Sequence, residues 1–186
     1  MDSSTTDNEK PLLALDIDDV LNHRHMSPYH EYLLTVETKY LARTPFTNSF
    51  PGPTVELTVN IPSVYPSWIK ELQGLYDLVW ASTWELAANR YISPLLGLDE
   101  IPVVEFSKNQ PTPTEIRRND IAGWKLRSII DFAGPRRFAF VDDAAYSPKL
   151  RSLARSLNPP ALIVAPSRGL TSEQVDILIN WAQPDL

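Results

Sequence analysis

Several short apolar runs in this chain stop abruptly at an oxygen-bearing side chain, and that pattern constrains its fold more than any other feature. Leu12-Leu13-Ala14-Leu15 runs into Asp16-Ile17-Asp18-Asp19, Leu78-Val79-Trp80-Ala81 into Ser82-Thr83, and Phe138-Ala139-Phe140-Val141 into Asp142-Asp143. Apolar runs of about four residues without polar alternation suit strands buried on both faces, as in a parallel sheet covered by helices. Ile101-Pro102-Val103-Val104 and Ala161-Leu162-Ile163-Val164-Ala165 repeat the theme. Helical spacing fills the intervals. Leu86, Tyr91 and Leu95 belong to one such stretch, and Ala122, Leu126, Ile129 and Ala133 form a stripe in another. Thr171 and Gln174 form a capping-box pattern that opens a helix to Gln183. Strands alternating with helices predict an α/β fold with a doubly wound, parallel, five-stranded sheet.

Residues 23–66 break that rhythm. Val55, Leu57, Val59 and Ile61 alternate with polar neighbours, the period of a strand with one wet face. Pro45, Pro51, Pro53, Pro62 and Pro66 favour turns and edge strands there. The segment is an insertion after the first strand, too short for a core of its own, so 11–186 is expected to be one domain that carries it. Residues 1–10 are polar and are expected to form a disordered tail.

Composition closes off several chemistries. The chain has no cysteine, which excludes disulfides, thiolate metal sites and a cysteine nucleophile. No apolar leader or membrane-spanning run is present, so a cytoplasmic location is expected, with no membrane and no obligate protein partner. The net charge is −6, yet residues 108–155 carry 10 basic against 5 acidic side chains. Local positive potential of that kind attracts anions.

In open parallel sheets, ligands bind beyond the carboxyl ends of the strands, where the residues after each apolar run gather. Asp16, Asp18, Asp142 and Asp143 would repel one another there unless a cation intervened, and hard carboxylate oxygens suit Mg²⁺. Two of them near one reacting atom allow a nucleophile and a general acid/base. Asp18-Asp19 also reads as a turn. Ser82-Thr83-Trp84-Glu85 fits a capping box with Ser82 as the N-cap, and the same helix end would serve as an anion corner. Ser82 and Thr83 are rival anion-binding hydroxyls; Lys125 and Arg127 are rival cations. His23, His25 and His30 are more consistent with a surface or flap than with a zinc site.

The ordered set LLALDIDDVLN (12–22), LVWAS (78–82), Lys125 in GWKLRSII and FAFVDD (138–143) resembles the haloacid dehalogenase (HAD) superfamily of phosphatases. The resemblance implies a HAD-like Rossmannoid sheet with the Leu12 strand central between the Leu78 and Phe138 strands, and a small flap or cap at 23–66. It implies a Mg²⁺-dependent phosphomonoesterase. Asp16 would be the nucleophile that becomes an aspartyl-phosphate, and Asp18 the acid/base. Ser82 would hold the phosphoryl oxygens, Lys125 would neutralise charge, and Asp142, backed by Asp143, would join Asp16 and the Asp18 carbonyl around Mg²⁺. Residue 19, commonly Gly in the superfamily, is Asp here. VWASTWELAAN (79–89), VELTVNIP (55–62) and SRGLTSEQVDILINWA (167–182) resemble more narrowly the HAD domain of Swiss Army knife RNA repair proteins. That likeness implies removal of phosphate from nucleic-acid ends, and the expected partner is a phosphorylated substrate, a small molecule such as a nucleotide or a nucleic-acid end.

Two other classes use similar parts. A signalling receiver places its acidic pair first, whereas Asp142-Asp143 comes last. A non-catalytic HAD-like module would bind a partner through the flap and Tyr29, Tyr32, Tyr40 and Tyr65, for which packing against the core is the preferred reading.

Overall fold

The computed structural model describes residues 9–23, 31–47 and 50–183. The predicted tail, apart from Glu9 and Lys10, and His25, Tyr29 and His30 lie outside the described residues. Arg136 holds Glu9 by an ion pair and donates to the Lys10 carbonyl.

Four parallel strands, β1 (Leu12–Leu15), β4 (Asp77–Trp80), β5 (Phe138–Val141) and β6 (Leu162–Val164), form one sheet in the order β4-β1-β5-β6. β1 is central, aligned Leu15 to Trp80 on one side and Leu15 to Val141 on the other. The pleat sends alternate residues to opposite faces, and both faces are buried. Leu13 and Leu15 join a core with Ile69 and Leu72 of α1 (Tyr65–Leu75) and Val175 and Leu178 of α6 (Ser172–Ala182). Leu12 and Ala14 join another with the Ala122, Leu126, Ile129 and Ala133 stripe of α4 (Ile121–Ala133) and with Leu150 and Ala154 of α5 (Pro148–Ser156). Helices on both faces thus account for strands that read as unbroken apolar runs. The Thr171–Gln174 capping box is present at α6. Among the described residues no helix is long and apolar enough to cross a membrane.

The fifth predicted strand is reduced to one bridge. Trp80 pairs with Val103 through Trp80 N–H to the Pro102 carbonyl and Val104 N–H to the Trp80 carbonyl. Pro102 has no N–H to extend the ladder, so a longer pairing fails there. The predicted Leu86–Leu95 helix is present but widened in its middle: helix at residues 86–87 leads into a π-turn at Ala88–Ile92 and then the short α2 (Ser93–Leu96), with Leu86 on the exposed side. The Asn89 side chain explains the widened turn, accepting from Trp80 Nε1 and Ile101 N and donating to the Ile101 carbonyl.

Within 23–66, β2 (Glu31–Glu37) and β3 (Thr54–Asn60) pair antiparallel as a two-stranded sheet. Its base is tied to the sheet edge by Asn60 N–H to Asn22 Oδ1, His23 N–H to the Asn60 carbonyl, and Ala42 N–H to the Thr83 carbonyl. Tyr65 is buried rather than displayed, because its ring packs on Trp68 and its hydroxyl donates to the Leu170 carbonyl.

Candidate active site

Parallel register places the residue after β1 beside the residues after β4 and β5. The ladder continues one step past the strands: Asp16 N–H donates to the Val141 carbonyl at 2.9 Å and Ala81 N–H to the Leu15 carbonyl at 2.8 Å. Asp16 and Asp142 therefore stand side by side at one sheet edge, both buried. One carboxylate oxygen from each of Asp16, Asp142 and Asp143 lies within 4.8 Å of the other two.

Lys125 reaches this cluster from α4. Its Nζ donates to Asp16 Oδ2 and to Asp142 Oδ2, each at 2.7 Å, and the side chain is almost wholly buried. Burial alone would lower the lysine pKa, but the Asp142 and Asp16 carboxylates overcome it and hold the ammonium protonated. Desolvation pushes the Asp142 carboxyl up to about 7 against the pull of Lys125, with Asp16 and Asp143 adding to the rise. One ammonium thus faces three carboxylates, and the negative charge that remains fits a divalent cation with oxygen ligands. Arg127, the rival of Lys125, is turned elsewhere, to Glu115, Asn109 Oδ1 and the Gln110 carbonyl.

Asp16 Oδ1 accepts from Ile17 N–H at 2.8 Å, and the chain then folds into a tight turn from Ile17 to Asn22. Asp19 takes φ 54° within it. A short acidic side chain tolerates that left-handed conformation better than a bulky one does. The turn carries Asp18 off to one side. Its Oδ1 accepts from Asn22 Nδ2 at 3.0 Å and its Oδ2 from Trp84 Nε1 at 3.1 Å. The Asp18 carboxylate is consequently not part of the three-carboxylate group and faces a cleft under the hairpin. Residues 169 and 170 brace the turn from outside, with Gly169 N–H to the Asp19 carbonyl and Leu170 N–H to the Val20 carbonyl. Tyr65 Oη donates to Leu170, so at its contact with His23 Nε2 it accepts, and His23 carries its proton on Nε2.

Ser82 is buried just beyond β4, its Oγ accepting from Trp84 N–H at a long 3.4 Å. The capping box expected with Glu85 does not form. Glu85 adopts φ 44° and accepts instead from Ser107 N–H at 2.6 Å and Ser107 Oγ at 3.1 Å. Thr83 is half-buried and lines the same cleft as Asp18.

Asn22 and Trp84, which hold the Asp18 carboxylate, escape a reading of the sequence. Asn22 sits at the end of the DIDDVLN run, four residues after Asp18, which is its only local signal; Trp84 reaches Asp18 across 66 positions.

A parallel α/β sheet whose central strand and its neighbours deliver carboxylates and a serine to one edge, where a helix adds a buried lysine, defines a domain of the haloacid dehalogenase type. The family described as "HAD domain in Swiss Army Knife RNA repair proteins" matches residues 12–175, and the chain belongs to that family. Comparison with curated proteins and with solved structures gives no match. Membership points to hydrolase chemistry of the HAD type.

Proposed function

We propose that the chain is a Mg²⁺-dependent phosphomonoesterase that works through an aspartyl-phosphate. The observation that carries this reading is the clustering of buried Asp16 and Asp142, both held by Lys125, with half-buried Asp143 beside them, since charge is concentrated there with no structural need for it. Asp16, Asp142 and Asp143 would hold Mg²⁺, with the Asp18 carbonyl as a further oxygen. The ion, when bound, would offset the charge of the phosphoryl oxygens and of the attacking carboxylate.

Asp16 attacks phosphorus, and the ester P–O bond breaks as an acyl-phosphate forms on the carboxylate. Asp18, protonated at this stage, gives its proton to the leaving oxygen. Its carboxylate then takes a proton from water as that water attacks phosphorus, and cleavage of the bond to Asp16 frees inorganic phosphate. Lys125 holds the Asp16 and Asp142 carboxylates in place and offsets their charge, and Ser82 with Thr83 supplies hydroxyls to the phosphoryl oxygens. In the same reading, 11–186 is one domain and the β2–β3 hairpin is its flap. Nucleotides or nucleic-acid ends are the substrates that the family description suggests.

The test is hydrolysis of p-nitrophenyl phosphate with Mg²⁺. Asp16→Asn is expected to lower turnover by about 10³-fold or more, the scale of losing a covalent nucleophile, and chelation with EDTA to do the same to the parent chain. Full activity in Asp16→Asn would remove this aspartate from the chemistry.

A further inference from the structure

The cleft faced by Asp18 has a volume of about 310 Å³ and lies between the sheet edge and the hairpin insertion. Asp18 and Trp84 stand at its inner wall, and Phe46, Phe50, Leu57 and Thr58 from the insertion complete it. Among the described residues that line it, Asp18 alone is charged.

Position, composition and size each limit what enters. In the phosphatase reading, on which this inference rests, Asp18 protonates the leaving oxygen, so the leaving alcohol must lie on the Asp18 side of the phosphorus. That side is this cleft. Among the described residues its walls offer aromatic and aliphatic surface with threonine hydroxyls and no cation, which favours a planar ring and disfavours a second phosphate. The volume sits at the low end of the ~300–1,000 Å³ typical of ligand pockets. It accommodates one ring system with its sugar or linker, not a run of nucleotides.

We propose that this cleft is the leaving-group subsite and that it takes an uncharged alcohol bearing an aromatic ring. A nucleoside and a simple arylalkyl alcohol share that chemistry.

The experiment uses the full chain with Mg²⁺ and compares kcat/KM for benzyl phosphate, adenosine 5′-monophosphate and adenosine 3′-monophosphate with that for glycerol 1-phosphate. The aromatic esters are expected to exceed glycerol phosphate by about tenfold or more, the scale of one stacked ring. Phe50→Ala is expected to narrow that gap. Benzyl alcohol or adenosine should compete with substrate in the parent chain, a readout independent of how the variant folds. Preference for the adenosine esters over benzyl phosphate identifies a nucleoside as the occupant, and the reverse order an arylalkyl group. Equal kcat/KM for aromatic and polyol esters, with no competition by either alcohol, overturns the subsite and leaves the phosphatase standing. Phosphate release from none of the esters sinks both.

Discussion

Replacing Lys125 with Met retains much of the side-chain volume and removes the charge that two buried carboxylates share. The ammonium donates to Asp16 and Asp142 at 2.7 Å each, and neither partner has solvent to turn to. Breaking a buried pair by deleting one member typically costs ~3–5 kcal/mol, because the remaining charge stays desolvated. For a chain of 186 residues, each kcal/mol moves the melting point by ~2–4 °C, so Lys125→Met should melt about 6–20 °C lower. The assay is urea and thermal unfolding at pH 8 in EDTA, followed by circular dichroism. Adding Asp142→Asn to Lys125→Met removes one of the stranded charges and should recover part of the loss, a coupling that the double-mutant cycle isolates. Lys125→Met within about 1 kcal/mol of the parent chain would refute the reasoning, since it would mean the carboxylates are not held by this ammonium.

Two further perturbations test the frame around the site. Gly169 has φ 96°, and a Cβ there would stand 1.8 Å from His23 Nε2, so Gly169→Ala should destabilise by ~1–3 kcal/mol; an unchanged melting curve would deny the close approach of this loop to the Asp18 turn. Glu85 is buried and its carboxyl is raised above its ordinary 4.5, chiefly by desolvation and against its Ser107 bonds. The folded chain then holds that proton more tightly than the unfolded chain, so this group's contribution to stability is full below 4.5 and declines as pH rises through the raised folded value. Glu85→Gln should lack this component, and urea midpoints taken at intervals between about pH 4 and 7 should fall less steeply for the variant. Parallel curves would show that Glu85 titrates as an ordinary surface acid.

The residues that end β1, β4 and β5 were legible because strand period and sheet-edge chemistry are local properties. An apolar run that stops at Asp16, Ser82 or Asp142 announces both a buried strand and the edge where it finishes. Departures occur where a distant partner decides. Glu85 fits a capping box on spacing, yet Ser107, 22 positions away, takes its carboxylate. Val103 follows a strand-like pattern, but the missing N–H of Pro102 confines its pairing to a single bridge. Glu31–Glu37 alternates too weakly to read as a strand and depends on β3 for its definition. The cleft behind Asp18 combines Trp84 with residues of the insertion, a meeting that no short-range pattern encodes.

The strand that leads into Asp16 is the earliest of the described strands in the chain and also an interior strand of its sheet, paired on both sides. During synthesis it must wait: one flank is completed only when Asp77–Trp80 emerges, the other only with Phe138–Val141. Closing such distant pairs is slow compared with local helix formation, which leaves an apolar segment exposed on the nascent polypeptide until Phe138–Val141 has emerged. A ribosome stalled before Phe138 would present Asp16 on an open strand edge, without the lysine-linked Asp142 that completes its surroundings, so the carboxylate cluster assembles only after the second half has closed over the first.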